Sequence, residues 1–184
     1  MKYDATKVGS KIARGGDSIV YHYDTNQVIK FSILSKTFGK GLPRKLKRDY
    51  SICSEYFPDY MVKTRFTDDE IYNHIEIQEY IAGEELQIKH LENGKVKNAF
   101  LNILSIIAEM RKEGYASLDL IGNRGMRHPC FSNLIVKAES IYIVDAALME
   151  SKSVGFWGYV FFPLMEIGKL RQKYLIKRFL SRLQ

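Results

Sequence analysis

The fold is decided by residues 12–31, which read IARGGDSIVYHYDTNQVIKF. Ser18–Tyr23 and Gln27–Ile33 are rich in β-branched and aromatic residues, so each is predicted to be a β-strand. The polar residues 24–26 between them favour a turn. Gly15-Gly16 precedes the first strand, and glycines in such a turn allow backbone amides to approach a phosphate group closely.

Lys30 lies inside the second of these strands, among apolar neighbours. A lysine in an apolar strand buries a charge and needs an anionic partner. Asp49, 19 residues further along the chain, could supply it. It belongs to a predicted helix, Arg44–Tyr56, which begins after Pro43 and ends before Pro58. Such a pair is either a structural ion pair or part of an anion-binding site.

The remaining pattern mixes strands and helices. Further strands are predicted over Met61–Thr67, Ile71–Ile81, Asn133–Val136 and Ile141–Val144. Apolar residues at spacings of three and four predict a helix over Val96–Lys112, and the end of the chain is predicted to be helical from about Phe156 and again from Leu164. Residues 122–125 are predicted to form a loop. This order of elements indicates an α+β fold.

The positive charge is concentrated in two segments. The 184 residues include 28 Lys and Arg against 21 Asp and Glu, a net charge of +7. Residues 35–48 and 151–184 each carry an excess of six positive charges, so the rest of the chain is acidic. This distribution disfavours a uniformly basic surface for nucleic acid. It predicts two local patches that attract an anionic partner, or alternatively two solvated basic segments.

Composition excludes several other classes of protein. The apolar fraction of 46% and the charged fraction of 27% are those of a globular domain. Cys53 and Cys130 show no metal-binding spacing, which predicts neither a disulfide framework nor a zinc site and favours a reduced, cytoplasmic setting. Residues 1–7 lack the apolar run of a signal peptide. The longest apolar run, Val154–Met165, has 12 residues, too few to span a membrane.

Two polar residues flank the predicted hairpin near residue 140. Asp145 directly follows one strand, and Asn133 begins the preceding strand. Carboxylate and amide oxygens on adjacent strands can share a Mg²⁺ ion with the phosphates of a substrate. The alternative for Asn133 is a structural role in a cap or turn.

Together these residues resemble the eukaryotic-like protein kinase family over residues 9–145. Residues 13–20 resemble its glycine-rich loop, with Ala13 in place of the first glycine, and residues 28–30 resemble the strand that carries the phosphate-binding lysine. Residues 78–83, QEYIAG, are similar to the hinge that binds adenine through backbone groups. Residues 144–147, VDAA, are similar to the D-F-G site without its Phe or Gly.

The resemblance implies a two-lobed protein kinase-like fold with a minimal carboxy-terminal lobe. It divides the chain into an ATP-binding lobe, residues 1–81, and a helical lobe, residues 82–184. It implies ATP and Mg²⁺ as cofactors, with Lys30 held by Asp49 and with Mg²⁺ on Asn133 and Asp145. The implied ATP-binding residues are Gly15, Gly16, Ser18, Val20, Lys30, Glu79 and Ile81.

The resemblance also implies a catalytic carboxylate that orients the acceptor hydroxyl. The family pattern H-R-D-x-x-x-x-N places this Asp five residues before the Asn, a position that His128 occupies relative to Asn133. Asp119 lies 14 residues before Asn133 and is preferred, because it follows a helix and a short extended segment. His128 remains the alternative to Asp119, and Asn123 remains the alternative to Asn133.

The nature of the acceptor is implied by two further likenesses. Only 39 residues follow Asp145, and they contain no A-P-E triplet, which disfavours a kinase that phosphorylates peptides. Residues 77–86, IQEYIAGEEL, are similar to the hinge of bacterial lipopolysaccharide core sugar kinases. Residues 169–183 are similar to the basic C-terminal helix of heptose kinases. The implied enzyme transfers the γ-phosphate to a sugar hydroxyl of a lipopolysaccharide-type or other membrane glycan.

The function of the chain and the placement of its C-terminal helix stay open. The chain is either such a kinase, a catalytically degraded pseudokinase that acts as a binding protein, or an atypical Ser/Thr kinase of the RIO or Bud32-like type working near RNA. The preferred setting is a monomer in the cytoplasm, at the inner face of the membrane. The basic C-terminal helix either lies on an anionic membrane surface or packs on its lobe with a solvated basic face.

Overall fold

The computed structural model describes residues 2–15, 18–34, 41–150 and 156–182. Within these ranges the chain forms eight β-strands and four α-helices in the predicted α+β order. They belong to two compact units. Unit 1 comprises Met1–Arg48 and Val62–Tyr80, and unit 2 comprises Asp49–Met61 and Ile81–Gln184. The predicted division of the chain into lobes at residues 81 and 82 stays a prediction.

Unit 1 is built on an antiparallel sheet. Its strands are β1 (Val8–Arg14), β2 (Ser18–Tyr23), β3 (Gln27–Ser32), β4 (Thr64–Thr67) and β5 (Ile75–Glu79), in the spatial order β1-β2-β3-β5-β4. The observed β2 and β3 end within one residue of the predicted strands. The register places Lys30 opposite Val20 of β2 and opposite Glu76 of β5. These three residues therefore lie side by side on one face of the sheet.

The other face of this sheet forms the apolar core of unit 1. Alternation along β3 and β5 directs Ile29, Phe31, Ile75 and Ile77 into that core, together with Tyr23. The same alternation directs Lys30 and Glu76 to the opposite face. The period of two therefore separates the apolar core from the charged row.

Strands β4 and β5 are shorter than predicted. Strand β4 begins at Thr64 rather than at Met61, and β5 begins at Ile75 rather than at Ile71 because a local polar turn precedes it. The Asp69 carboxylate accepts hydrogen bonds from the backbone N–H groups of Ile71 and Tyr72. It also accepts one from the Tyr3 hydroxyl, at 2.9 Å. A side chain that bonds its own backbone in this way competes with strand pairing.

Unit 2 contains the remaining elements. Its strands β6 (Glu84–Gln87), β7 (Cys130–Lys137) and β8 (Ser140–Ile143) pair in that order. Its helices are α2 (Gly94–Lys112), α3 (Gly122–Gly125) and α4 (Phe156–Leu180), and helix α1 (Gly41–Tyr56) contributes residues to both units.

Two expectations for unit 2 are wrong, and one strand adds to the prediction. The added strand is β6, which has a weak intrinsic strand signal and forms through pairing with β7. Residues 122–125 form a short helix rather than a loop. Helix α4 runs as one element through Pro163 instead of restarting at Leu164.

The core of unit 2 is centred on three aromatic rings. Phe100 of α2, Phe131 of β7 and Phe179 of α4 lie with ring centroids 4.8–6.1 Å apart. Helix α2 is capped by Asn93, whose side chain accepts hydrogen bonds from the N–H groups of Lys95 and Val96. Its buried residues recur at spacings of three and four, as predicted for an amphipathic helix.

None of the helices within the described residues is long and apolar enough to cross a bilayer.

Replacing Phe179 by Ala tests this core. Phe179 is 1% exposed, so its loss leaves a cavity between α2, β7 and α4, and we expect the free energy of unfolding to fall by about 3–4 kcal/mol. Leu170→Ala on the same helix is the matched control, because Leu170 is 68% exposed, and it should change stability by less than about 0.5 kcal/mol. Urea unfolding measures both. Equal losses in the two variants would contradict the assigned orientation of α4.

Candidate functional site

The predicted site residues are distributed over both units. Unit 1 contains Gly15, Ser18, Val20, Lys30 and Glu79. Unit 2 contains Asp49, Ile81, Asp119, Asn133 and Asp145. Gly16 lies outside the described residues.

The glycine turn connects β1 and β2. The N–H of Gly15 donates to the carbonyl oxygen of Ser18 at 2.8 Å, which closes the end of the hairpin. Ala13 lies opposite Val20, and Val20 lies opposite Lys30. The strands that carry the predicted glycine-rich turn therefore continue directly into the row that contains Lys30.

Lys30 forms part of a largely buried charged group in unit 1. Its Nζ lies 3.7 Å from Oε2 of Glu76, and the two side chains are 14% and 19% exposed. Oε1 of Glu76 lies 2.9 Å from Nε2 of His74. His74 is 1% exposed, and its ring lies against that of Phe66 with centroids 5.4 Å apart. The three polar residues thus form a chain in the order His74, Glu76, Lys30.

The electrostatics of this group keep Glu76 ionised. Burial alone would raise the pKa of the Glu76 carboxyl, but the hydrogen bond from His74 and the charge of Lys30 outweigh it and hold that pKa below its ordinary value. Within the described residues Nδ1 of His74 has no hydrogen-bond partner. The ammonium group of Lys30 is therefore fixed next to a carboxylate.

Glu76 and His74 were not predicted from the sequence. The sequence signal for Glu76 was its position between two buried isoleucines in β5. Lys30 has a similar position between apolar residues in β3. Only the pairing of these two distant strands shows that the charges are neighbours.

Asp49 makes a well-defined contact inside unit 2. It is fully buried in α1, and its Oδ2 accepts a hydrogen bond from the backbone N–H of Leu148 at 3.0 Å. One turn later, the thiol of Cys53 donates to the carbonyl oxygen of Ala146 at 3.6 Å. Helix α1 thus binds the segment that directly follows Asp145. The predicted pairing of Asp49 with Lys30 joins residues of different units and stays a prediction.

Asp119, Asn133 and Asp145 lie on adjacent segments of unit 2. The N–H of Asp119 donates to the carbonyl oxygen of Ala147 at 2.8 Å. The side-chain amide of Asn133 donates to the carbonyl oxygen of Asp119, also at 2.8 Å. The N–H of Val144 donates to the carbonyl oxygen of Asn133 at 3.0 Å. Three residues that are far apart in sequence are therefore connected by one hydrogen-bond network.

The side chains of this network have defined orientations. Oδ1 of Asp119 accepts from the N–H groups of Ile121 and Gly122 at 3.1 and 3.0 Å, at the start of α3. Oδ1 of Asp145 accepts from the N–H of Ala147 at 3.2 Å. These bonds within each loop fix both carboxylates.

Gly122 permits the close approach of α3 to Asn133. Its φ of +51° favours glycine, and a Cβ at this position would lie 2.5 Å from Oδ1 of Asn133. Any larger residue would therefore displace the Asn133 amide.

The donor atoms of this segment suit a magnesium ion that is shared with phosphate. Asp145 offers a carboxylate and Asn133 an amide oxygen, and Mg²⁺ prefers such oxygens with several ligands left to phosphate or water. In the part of the chain that the structure describes, no group of three or more His, Cys, Asp or Glu side chains forms a metal site. A Mg²⁺ ion here would therefore depend on the oxygens of its substrate.

Gln172 of α4 is a buried contact that the sequence analysis missed. Its Oε1 accepts from the N–H of Leu120 at 2.8 Å, and its Nε2 donates to the carbonyl oxygen of Leu118 at 2.9 Å. Gln172 is only 4% exposed. Its side chain therefore pairs with both sides of the backbone around Asp119. The available signal was its position on the apolar face of α4, three residues before Leu175 and seven before Phe179.

The remaining predicted residues lie at less distinctive positions. His128 is exposed after α3, where its N–H donates to the carbonyl oxygen of Arg124 at 2.9 Å. Glu79 is exposed at the end of β5, and Ile81 is buried in unit 2. The side chain of Asn123 lies outside the described part of the structure.

Comparisons with known proteins identify the fold. A comparison with models of known protein families gives no match, and a comparison with curated protein sequences gives none. The structure is similar to the PknI kinase domain of Mycobacterium tuberculosis, with a TM-score of 0.51, 12% sequence identity and coverage of 81% of this chain. It also matches the Legionella pneumophila Lpg2603 kinase solved with IP6, with a TM-score of 0.49, 15% identity and coverage of 82% of this chain.

The first of these likenesses confirms the predicted protein kinase-like fold. The chain covers 59% of the PknI kinase domain and 55% of the Lpg2603 chain. Membership of the lipopolysaccharide core sugar kinases stays a prediction.

Replacing Glu76 by Gln tests the charged group of unit 1. The variant loses the carboxylate beside Lys30, and we expect the free energy of unfolding at neutral pH to fall by about 2 kcal/mol. Because the pKa of Glu76 is lowered on folding, this stabilisation is complete above the unfolded pKa of about 4.3 and is lost as the pH falls through the folded pKa.

Urea unfolding of the wild type and of Glu76→Gln across this range measures the difference. The difference should be constant at higher pH and should shrink below about pH 4. The control is Glu70→Gln, since Glu70 is exposed in the same unit. A difference that is independent of pH down to the acid transition would contradict the assigned pairing.

Replacing Gln172 by Leu tests the support of the Asp119 segment. The N–H of Leu120 and the carbonyl of Leu118 would lose their partners in a buried place, so we expect a loss of about 2–3 kcal/mol in unfolding free energy. Hydrogen exchange at the Leu120 amide should accelerate in the same variant. Lys173→Leu, on the exposed side of the helix, is the control. Unchanged exchange at Leu120 would refute the contact.

Proposed function

We propose that this chain is a kinase that uses ATP and Mg²⁺ and transfers the γ-phosphate to an alcohol group. The observation that supports this proposal is the network of Asp119, Asn133 and Asp145 in unit 2, in a chain with a protein kinase-like fold. In this network two loops present carboxylates of fixed orientation, with a buried amide between them.

Unit 1 would bind the nucleotide. The ammonium group of Lys30, fixed by Glu76, would contact the α- and β-phosphate oxygens. Backbone amides of the turn at Gly15 and Gly16 would cover the phosphates, with Ser18 and Val20 on the adjoining strand. Backbone groups at Glu79, and at Ile81 of unit 2, would bind adenine.

Unit 2 would carry the transfer. Asn133 and Asp145 would hold Mg²⁺, which when bound neutralises the charge that develops on the transferred group. Asp119 would orient the acceptor hydroxyl and accept its proton. The acceptor oxygen forms a bond to the γ-phosphorus while the bond from that phosphorus to the β–γ bridging oxygen breaks, and ADP leaves. Catalysis would come mainly from positioning and charge neutralisation.

The proposed acceptor is a sugar hydroxyl of an anionic glycan or glycolipid of the lipopolysaccharide type. The likeness of residues 77–86 to the sugar kinase hinge supports it, and so does the excess of positive charge in two segments. The structure describes residues 41–48 of the first segment, which belong to α1, whereas Lys36 and Lys40 lie outside the described residues. We further propose that the chain acts as a monomer in the cytoplasm, at the inner face of the membrane.

A pseudokinase is the second candidate. It is favoured by the structural hydrogen bonds of Asp119, since Oδ1 already accepts two backbone N–H groups of its own loop. It is also favoured by the absence of Phe and Gly after Asp145 in the sequence. Under this alternative the network serves binding or structure without turnover.

Thermal shift and turnover assays on single variants distinguish these candidates. The melting temperature of the wild type should rise with ATP, and further when Mg²⁺ is added. Asp145→Asn should lose the increment due to Mg²⁺ and keep the increment due to ATP alone. Asp119→Asn should keep both increments and lose at least about a hundredfold in phosphotransfer rate. Asp59→Asn is the control, because Asp59 is exposed in unit 2.

Each contrary outcome has a definite meaning. No response to ATP with or without Mg²⁺ would refute nucleotide binding and the kinase proposal with it. Binding without turnover on any glycan, peptide or RNA acceptor would establish the pseudokinase. Full turnover in Asp119→Asn would exclude Asp119 as the base and direct the test to His128→Gln. Transfer to RNA-associated protein, with no transfer to lipopolysaccharide core fragments, would favour the RIO-like alternative.

A further inference from the structure

Helix α4 has two chemically distinct faces. Its buried face includes Gln172, Leu175 and Phe179, which pack in unit 2. On the opposite face, Ile167, Leu170 and Tyr174 are 51%, 68% and 55% exposed. These three residues follow each other at spacings of three and four and therefore lie on one side of the helix. They are called the outer stripe.

The outer stripe is unusual for a surface in contact with water. Leu170 has the largest exposed fraction among the large apolar side chains of the described residues. Isolated apolar residues are common on protein surfaces, whereas contiguous exposed apolar residues indicate a surface that binds a protein partner or a membrane. The stripe is the side of α4 that the core of unit 2 leaves uncovered.

Positive charges surround the outer stripe. Lys177 and Arg178 follow Tyr174 by three and four residues and continue the same side of the helix, and both are exposed. The guanidinium of Arg171 lies 5.6 Å from the centre of the Tyr174 ring. Glu166, the only acid within residues 165–182, forms an ion pair of 2.7 Å with Lys169.

We propose that the outer stripe lies on an anionic lipid bilayer, with the axis of α4 parallel to the membrane surface. Apolar side chains in the centre with lysine and arginine at their margins match the acyl chains and the anionic headgroups of one leaflet.

The same charges argue against a second copy of the chain as the occupant. A symmetric contact through the stripe would bring the cations of one copy against those of the other, and like charges at an interface are unfavourable. This inference concerns binding alone and does not depend on phosphotransfer, so a failure of the kinase proposal leaves it intact.

Vesicle flotation of the full chain tests the proposal. The wild type should float with vesicles of phosphatidylcholine and phosphatidylglycerol and stay behind with phosphatidylcholine alone. The double variant Leu170→Ser, Tyr174→Ser should bind the anionic vesicles at least about tenfold more weakly. Lys173→Gln combined with Lys177→Gln should weaken binding by a similar factor. The control is Leu101→Ser, which changes an exposed leucine of α2 (38%) and should bind as the wild type does.

A fluorescent label reports on the stripe directly and does not depend on the stability of the serine variants. Cys53 and Cys130 are both buried, so a new surface cysteine can be labelled selectively. A polarity-sensitive dye on Leu170→Cys should shift to the blue when anionic vesicles are added, and the same dye on Leu101→Cys should not.

Three outcomes would overturn the proposal. The first is equal binding of neutral and anionic vesicles, or none of either. The second is binding that high salt abolishes, with no weakening in the serine variant and no blue shift of the dye at residue 170. That result would mean adsorption by charge alone. The third is a wild type that elutes as a dimer while the serine variant elutes as a monomer, which would identify a second copy as the occupant.

Discussion

The backbone of residues 117–120 is the constraint on which the structure of unit 2 depends. Leu118 and Leu120 are completely buried, so the peptide groups between them lie in the core and each needs a hydrogen-bond partner. Those partners come from three directions: Ala147 and Met149 on one side, Asn133 on another, and Gln172 of α4 on a third. Because one short segment forms hydrogen bonds with all three, it positions Asp119 next to Asn133 and next to the residues that follow Asp145.

The fold was predictable where local pattern and tertiary pairing agree. Strands β2 and β3 and helix α2 have clear periodicities and clear ends, and they form as predicted. Strand β6 and helix α3 have weak local signals, and each depends on residues far away, as in the pairing of β6 with β7. The same limit applies to the candidate site. The sequence identifies Lys30 as a buried charge that needs a partner, but only the register of β3 against β5 shows that Glu76 lies beside it.

The charged groups around Lys30 in unit 1 and around Asp119 and Asp145 in unit 2 are held in position by different kinds of interaction. In unit 1 the positions are set by a cross-strand row, where an ion pair and a hydrogen bond hold Lys30, Glu76 and His74 in order. In unit 2 the positions are set by hydrogen bonds to the backbone. Asp49 of α1 contacts the segment that follows Asp145, and Gln172 of α4 contacts the segment that carries Asp119. In unit 2 the positioning residues Asp49 and Gln172 are more deeply buried than Asp119 and Asp145. Preorganisation of this kind is what an electrostatic site requires.

One face of helix α4 carries the outer stripe, and the opposite face contacts the Asp119 segment through Gln172. Gln172 lies two residues from both Leu170 and Tyr174, a rotation of about 200° around the helix, so the two contacts lie on opposite faces. A helix is stiff over so short a distance. A bilayer that fixed the outer stripe would therefore fix the direction in which the backbone of residues 118–120 faces the membrane. If the acceptor is carried by a lipid, the bound protein would meet it by diffusion along the membrane surface rather than through the solution. The Asp119 segment would then lie at a fixed height above that surface. This fixed height requires Gln172 and the outer stripe to belong to one rigid element. Both belong to helix α4.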